Sequence, residues 1–250
     1  MSERDADRAV SQTVKAQLKL RDMILSGQLP HGERITELQA VDVTGVSRTP
    51  VRLALVRLAD EGLLQAIPTG GFMVKAFSER EILESIELRG TLEGLAARFA
   101  AERGASPQAL RPLKQTLAEI DDLIAPDMVS VEAFSSYVTL NARFHVLLSD
   151  LADSELLSRQ IERVAAMPFA SPSGFVMAQS ALPESNRILV VAQDQHHIVV
   201  EAIEGRQSER AEAVMREHAR LAARNLRLAL RNRTAPELLP ALALLAPAGG

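Results

Sequence analysis

The sequence predicts a mainly α protein: an N-terminal winged helix-turn-helix over residues 1–77, then an all-α helical bundle effector domain over 78–233, with a tail at 234–250. Three observations carry this. Val46 to Leu58 places Arg48 and Arg52 four residues apart, on one face of a helix whose other face carries Leu55, Val56, Leu58 and Ala59. Just after it, two short apolar runs, Leu63–Ile67 and Phe72–Ala76, flank Pro68-Thr69-Gly70-Gly71 and read as a β-hairpin. Beyond Phe77 every periodic segment is long and helical, and the breaks between segments carry Gly or Pro.

The elements follow in order. Val14, Leu18, Met23, Ile24 and Leu25 have helical spacing over 11–26, and Gly27 stops the helix. Leu29-Pro30-His31-Gly32 is a turn. Thr36 caps a short second helix to about Val43, and Gly45 permits the sharp turn after it. Ser47 caps the third helix, with Pro50 tolerated in its first turn because N–H groups there lack helical partners. Gly62 ends it. Ser78 with Glu81 forms a capping box for a helix to about Arg103, where Gly104 stops it. Ser106-Pro107 starts a helix that ends before Pro126. Others are expected at about 130–151, 154–167, 183–204 and 208–232. Six helices make a core large enough to enclose a ligand. The tail from Thr234, rich in Ala, Leu and Pro, has no helical face and is either unstructured or packed on a partner.

Composition excludes several classes. The chain has 250 residues, room for two domains, and 47% apolar with 24% charged residues suits a globular protein. No apolar run could cross a bilayer and the first residues are charged rather than signal-like, so no membrane association is expected. The absence of cysteine removes disulfides and thiolate metal sites and fits a cytoplasmic location. Residues 1–78 hold ten Lys or Arg against nine Asp or Glu, a net of +1; the remainder holds eighteen against twenty-three, a net of −5. Arg34, Arg48, Arg52 and Arg57 gather around the third helix, which is enough cation for a small DNA-binding unit. One tyrosine and no tryptophan argue against base stacking of the single-strand or RNA-binding kind.

Leu20-Arg21-Asp22-Met23-Ile24-Leu25-Ser26-Gly27, Pro30-His31-Gly32-Glu33-Arg34, Val46 to Leu58 and Glu61-Gly62-Leu63-Leu64 together resemble the N-terminal domain of GntR-family regulators. Glu87 to Gly94, Asn141-Ala142-Arg143-Phe144-His145, Gln195-His196 before Ala202-Ile203, and Met215-Arg216-Glu217-His218 resemble the helical effector domain, the FCD domain, of the FadR subfamily. The resemblance implies a homodimeric, effector-responsive regulator of double-stranded operator DNA, and no enzyme. It also maps Arg34, Ser47, Arg48, Thr49 and Arg52 onto family DNA contacts, with Gly70 at the wing tip. Arginine suits guanine O6 and N7, and Ser47 and Thr49 at a helix N-terminus can donate to phosphate. Arg57, deeper in the helix, is set aside as a partner of Asp60 or Glu61. The family usually has glutamate where Leu53 stands, which removes one partner for Arg52.

The same resemblance points to a metal site of Asn141, His145, His196 and His218. Asn141 and His145 are four apart on one helix and face the same way. Three imidazoles and one oxygen suit a divalent transition ion, Zn²⁺ or Ni²⁺, with open positions left for water or a ligand. Relatives commonly have aspartate in place of Asn141. A neutral set leaves the full charge on the ion, which weakens its retention and draws an anionic effector. The alternative is an empty site whose histidines bind the effector directly. His197, turned about 100° from His196, is a supporting or surface residue. Arg89 either binds the carboxylate of a small organic-acid effector or pairs with Glu93. Met167 to Phe175 either forms a loop over the pocket or gives Phe169 and Phe175 to the core. Effector binding is expected to alter the placement of two DNA-reading heads. Two rival functions are a metal-dependent hydrolase, for which Glu217 is turned the wrong way, and a dimerisation scaffold that senses nothing.

Overall fold

The computed structural model describes residues 3–124, 131–167, 169–173, 185–231 and 244–245. The chain divides into two compact units, residues 1–81 with 239–250, and residues 82–238.

In the first unit, α1 spans Glu3–Leu25, β1 Arg34–Ile35, α2 Glu37–Thr44, α3 Arg48–Asp60, β2 Leu64–Ala66 and β3 Phe72–Val74. Helix α1 begins well before the expected residue 11. Glu3, Asp5 and Asp7 suit the positive end of a helix and no Gly or Pro interrupts them, though this turn lacks an apolar period. Its inner face is the four-spaced row Ala16, Leu20 and Ile24, whereas Val14 and Leu18 lie outside. Thr36 closes a capping box on α2: its Oγ1 accepts from the Gln39 N–H, and Gln39 Oε1 accepts from the Thr36 N–H at 2.9 Å. Gly45 then takes the left-handed φ of 68° that turns the chain into α3.

Helix α3 lies mainly against α1. It buries Val51, Ala54, Leu55 and Leu58, but Val56, expected on that face, is 43% exposed. At about 100° per residue Val56 falls opposite the midpoint of the buried four. Ser47 stands at the N-cap, yet its hydroxyl takes no capping hydrogen bond, contrary to expectation. The hairpin is joined by a strand too short to have a visible period. The sheet order is β1–β3–β2, all antiparallel, with Ile35 opposite Phe72 and Leu64 opposite Val74. The wing turn carries Gly70 at φ 93°, a conformation that would strain any side chain. Of the tail, Leu244 is buried and its carbonyl accepts from the Phe77 N–H at 2.8 Å.

In the second unit run α4 (Glu79–Arg103), which begins inside the first, α5 (Pro107–Ile124), α6 (Val131–Leu151), α7 (Glu155–Ala165), α8 (Ser185–Glu204) and α9 (Ser208–Arg231). Glu81 accepts from the Ser78 N–H while Ser78 Oγ accepts from the Glu81 N–H, the expected capping box. That Ser78 N–H, followed by Lys75, holds the Glu81 carboxyl at about 2. Ser106 and Ser154 cap α5 and α7 by a single bond each, their Oγ atoms accepting from the N–H groups of Ala109 and Leu157.

Leu113, Phe144, Val199, Ile203 and Met215 knit α5, α6, α8 and α9 into one apolar core. Phe134, Tyr137, Ile120 and Leu189 form a second. Two glycines fix the spacing that matters for the site. A Cβ at Gly90 would lie 2.5 Å from the Ala219 Cβ, and one at Gly94 would lie 2.6 Å from the Arg216 Cγ. Helix α4 therefore lies close against α9, with Arg89 and Glu93 on the same stretch. Among the described residues no helix is long and apolar enough to cross a membrane.

Candidate functional sites

The outer face of α3 is the first candidate. Ser47, Arg48, Thr49 and Arg52 are all exposed there. Arg52 Nε lies 3.6 Å from Glu37 Oε1, so α2 supplies the acid that the Leu53 position lacks. Arg57 pairs with neither expected acid as Glu61 is engaged elsewhere: it receives Gln17 Nε2 at 2.6 Å and Arg21 Nη2 at 2.5 Å. Arg34 leaves β1 and donates from Nη2 to the Gly70 carbonyl at 2.7 Å. One guanidinium therefore braces the wing tip, and Arg34 and Gly70 act as a unit.

The second candidate is a buried imidazole cluster. His145 from α6, His196 from α8 and His218 from α9 present ligand atoms all within 4.8 Å of one another. Each ring is set by its neighbours. Glu93 Oε1 lies 2.9 Å from His145 Nδ1, which directs His145 Nε2 to the cluster, where it is buried with no hydrogen-bond partner. His196 Nδ1 lies 3.1 Å from Gln193 Oε1, and its Nε2 lies 3.1 Å from His218 Nε2. Phe144 stacks on His196 with ring centroids 3.9 Å apart. Burial first, then neighbouring imidazoles, holds His196 well below its ordinary pKa; burial and then His145 do the same for His218. Both are thus neutral at pH 7, the form that ligates metal.

Asn141 lies one turn before His145. Its Nδ2 donates to Ser173 Oγ at 2.9 Å, while its Oδ1 is buried without a partner. His218 Nδ1 is likewise unpartnered. Buried acceptors are rarely left unpaired, because doing so costs about 1–3 kcal/mol each. An unpaired carbonyl oxygen and unpaired ring nitrogens in one buried cluster fit a cation. Asn141 brings no charge to the donor set, and behind His145 Glu93 is 1% exposed, as is Arg89, whose Nη1 bonds Glu93 Oε2 at 2.6 Å. Burial alone would raise the Glu93 carboxyl, but Arg89 and then His145, beside it and hydrogen-bonded to it, outweigh burial and hold it at about 2.

Arg89 thus makes the expected pair with Glu93, and it also lines a cavity of about 20 Å³ with Tyr137, Asn141, His218 and Asn225. That space holds one water-sized group. His197 stands apart from the cluster, within 3.0 Å of both Asp121 oxygens. Phe169 is buried; Phe175 lies outside the described residues. Sequence reasoning did not find the roles of Gln193, Ser173 or Glu37, nor that Glu93 touches His145. Only Gln193 left a signal, three residues before His196 and so on its face of the helix.

Residues 84–223 match the FCD domain, and residues 12–74 match bacterial regulatory proteins of the gntR family. Over 146 residues the chain is 32% identical to the uncharacterized HTH-type transcriptional regulator YdhC of Bacillus subtilis, across 58% of this chain and 63% of that one. It is also 32% identical over 146 residues to the Nta operon transcriptional regulator of Aminobacter aminovorans, across 57% of this chain and 65% of the relative. The matched stretch covers less than two thirds of either relative. The solved structure of E. coli McbR/YncC shares the fold, with a TM-score of 0.61 and 21% identity over 87% of this chain and 96% of that one.

Proposed function

The chain belongs to the FCD-domain family, with a gntR-family region ahead of that domain, and on that premise we propose that it is a homodimeric, cytoplasmic regulator of transcription. It binds double-stranded operator DNA under the control of a divalent transition ion and a small carboxylate effector. The observation that carries the reading is the outer face of α3, where Arg48, Thr49 and Arg52 stand exposed at the amino end of a helix whose back is buried. That end enters a major groove, with arginines toward guanine and hydroxyls toward phosphate. The wing braced by Arg34 and Gly70 follows the adjacent backbone. Two copies would address half-sites about 34 Å apart.

Asn141, His145, His196 and His218 would hold the ion, Zn²⁺ or Ni²⁺ by ligand type. Bound there, it would offer a Lewis-acidic position to a carboxylate oxygen. The chain's own residues prepare that position. Glu93 and Gln193 fix the His145 and His196 rings, and the neutral donor set leaves the ion's charge unreduced. Arg89, whose Nε is buried without a partner, borders the water-sized cavity beside these ligands and supplies the donor a carboxylate oxygen needs.

A hydrolase reading has less support, since Glu93 is committed to Arg89 and His145 and Glu217 pairs with Arg220 at 3.0 Å on the surface. The unpartnered polar atoms likewise argue against a scaffold that senses nothing. The test is fluorescence anisotropy on a duplex recovered by selection from random DNA. Arg48→Ala should lose about 1–3 kcal/mol of binding. Equal affinity for the variant removes Arg48 from the interface, and failure to enrich any duplex removes the reading.

A further inference from the structure

Helix α3 exposes two parallel rows, and only one is basic. Arg48 and Arg52 form the first row, four residues apart; Thr49 and Leu53 form the second, also four apart. At about 100° per residue, Thr49 stands near the middle of the exposed arc, with Arg52 about 60° to one side and Leu53 about 40° to the other. Leu53 is 51% exposed, while Leu55 and Leu58 of the same helix are fully buried. Val56, one turn on, continues the apolar exposure at 43%. Leu53 is not required for packing, and it is not required to aim Arg52, which takes its acid from Glu37 on α2. A large apolar side chain stands where the groove-facing turn would meet base edges.

In the major groove one base offers an apolar group, the C5-methyl of thymine, and apolar side chains read it by contact. Resting on the operator-binding reading above, we infer that Leu53, beside the Thr49 methyl, selects a thymine in each half-site, next to the base addressed by Arg52. Specificity at that position comes from burying a methyl group rather than from a hydrogen bond. An acid at position 53 would have to be desolvated against that base edge, so leucine and carboxylate would favour different half-sites.

The experiment uses the full chain and a duplex selected from random double-stranded DNA. Each thymine is replaced in turn by uracil, which pairs identically and lacks only the methyl. The expected result is one position per half-site where uracil weakens the wild-type protein about fourfold, the transfer free energy of one buried methyl. Leu53→Ala should bind more weakly and show no uracil penalty there, while Leu53→Met, which keeps an apolar tip, retains it. Leu53 is half exposed, so both variants should melt at the wild-type temperature. A flat uracil scan in the wild type, or an undiminished penalty in Leu53→Ala, overturns the inference and leaves operator binding intact. Failure to enrich any duplex overturns operator binding and, with it, this inference.

Discussion

Replacing Glu93 by Gln removes one charge at nearly constant volume and leaves Arg89, 1% exposed, without its counter-ion. Removing one partner of a buried ion pair costs about 3–5 kcal/mol, because the remaining charge stays desolvated. For a unit of this size, with about 2–4 °C per kcal/mol, the melting temperature should fall by about 6–20 °C. Unfolding would be followed by helical circular dichroism in chelator, so that no ion contributes. The cause is the stranded guanidinium rather than the lost contact, so Arg89→Met combined with Glu93→Gln should recover most of the loss. Glu93→Gln should also weaken ion binding about 10–100-fold, since a neutral amide replaces the carboxylate that orients His145 and raises its basicity. A loss below about 1 kcal/mol, or a double variant no more stable than the single one, would show that the stranded guanidinium is not the cause.

Asn141→Asp adds a charge to a neutral ligand set, so calorimetry should find a tighter ion and a looser carboxylate; the opposite order contradicts the proposed role of Asn141. Arg34→Ala removes the donor to the Gly70 carbonyl, so DNA affinity should fall while the melting temperature changes by less than about 1 kcal/mol equivalent. Unchanged affinity would dissociate the wing from DNA binding. Burial, then neighbouring imidazoles, holds His196 and His218 low in the folded chain, so unfolding takes up protons below about pH 6.5. Stability in chelator is therefore fully present above that pH and should fall as pH drops from about 7 to 5. Glu93, lowered from 4.5 to about 2, adds a loss of the same sign only at lower pH. A melting temperature that holds or rises between pH 7 and 5 contradicts this assignment.

Local order in the chain was legible where the signal was periodic or capped. The helices of both units, the Thr36 and Ser78 caps and the Gly70 turn follow from residue type and spacing. Three features were not legible. Strand β1 has two residues and no period to detect. The exposure of Val56 depends on which side of α3 meets α1, a question of phase that mixed apolar residues leave open. The partners of the site residues, Glu37 for Arg52, Gln193 for His196 and Ser173 for Asn141, are set by how elements meet. Arg89 had two readings in sequence, an ion pair or a ligand contact, and its position in the fold serves both: it pairs with Glu93 and borders the cavity.

On the reading proposed above, the histidine cluster governs DNA reading through a bound ion. The direct measurement is the anisotropy isotherm on a selected duplex for chelator-stripped protein and for the same protein reloaded with Zn²⁺ or Ni²⁺. The affinity should change about fivefold or more between the two states, the lower range of allosteric coupling, with no such change in His196→Ala. Superimposable isotherms for stripped and reloaded wild-type protein, or an equal change in His196→Ala, would contradict it.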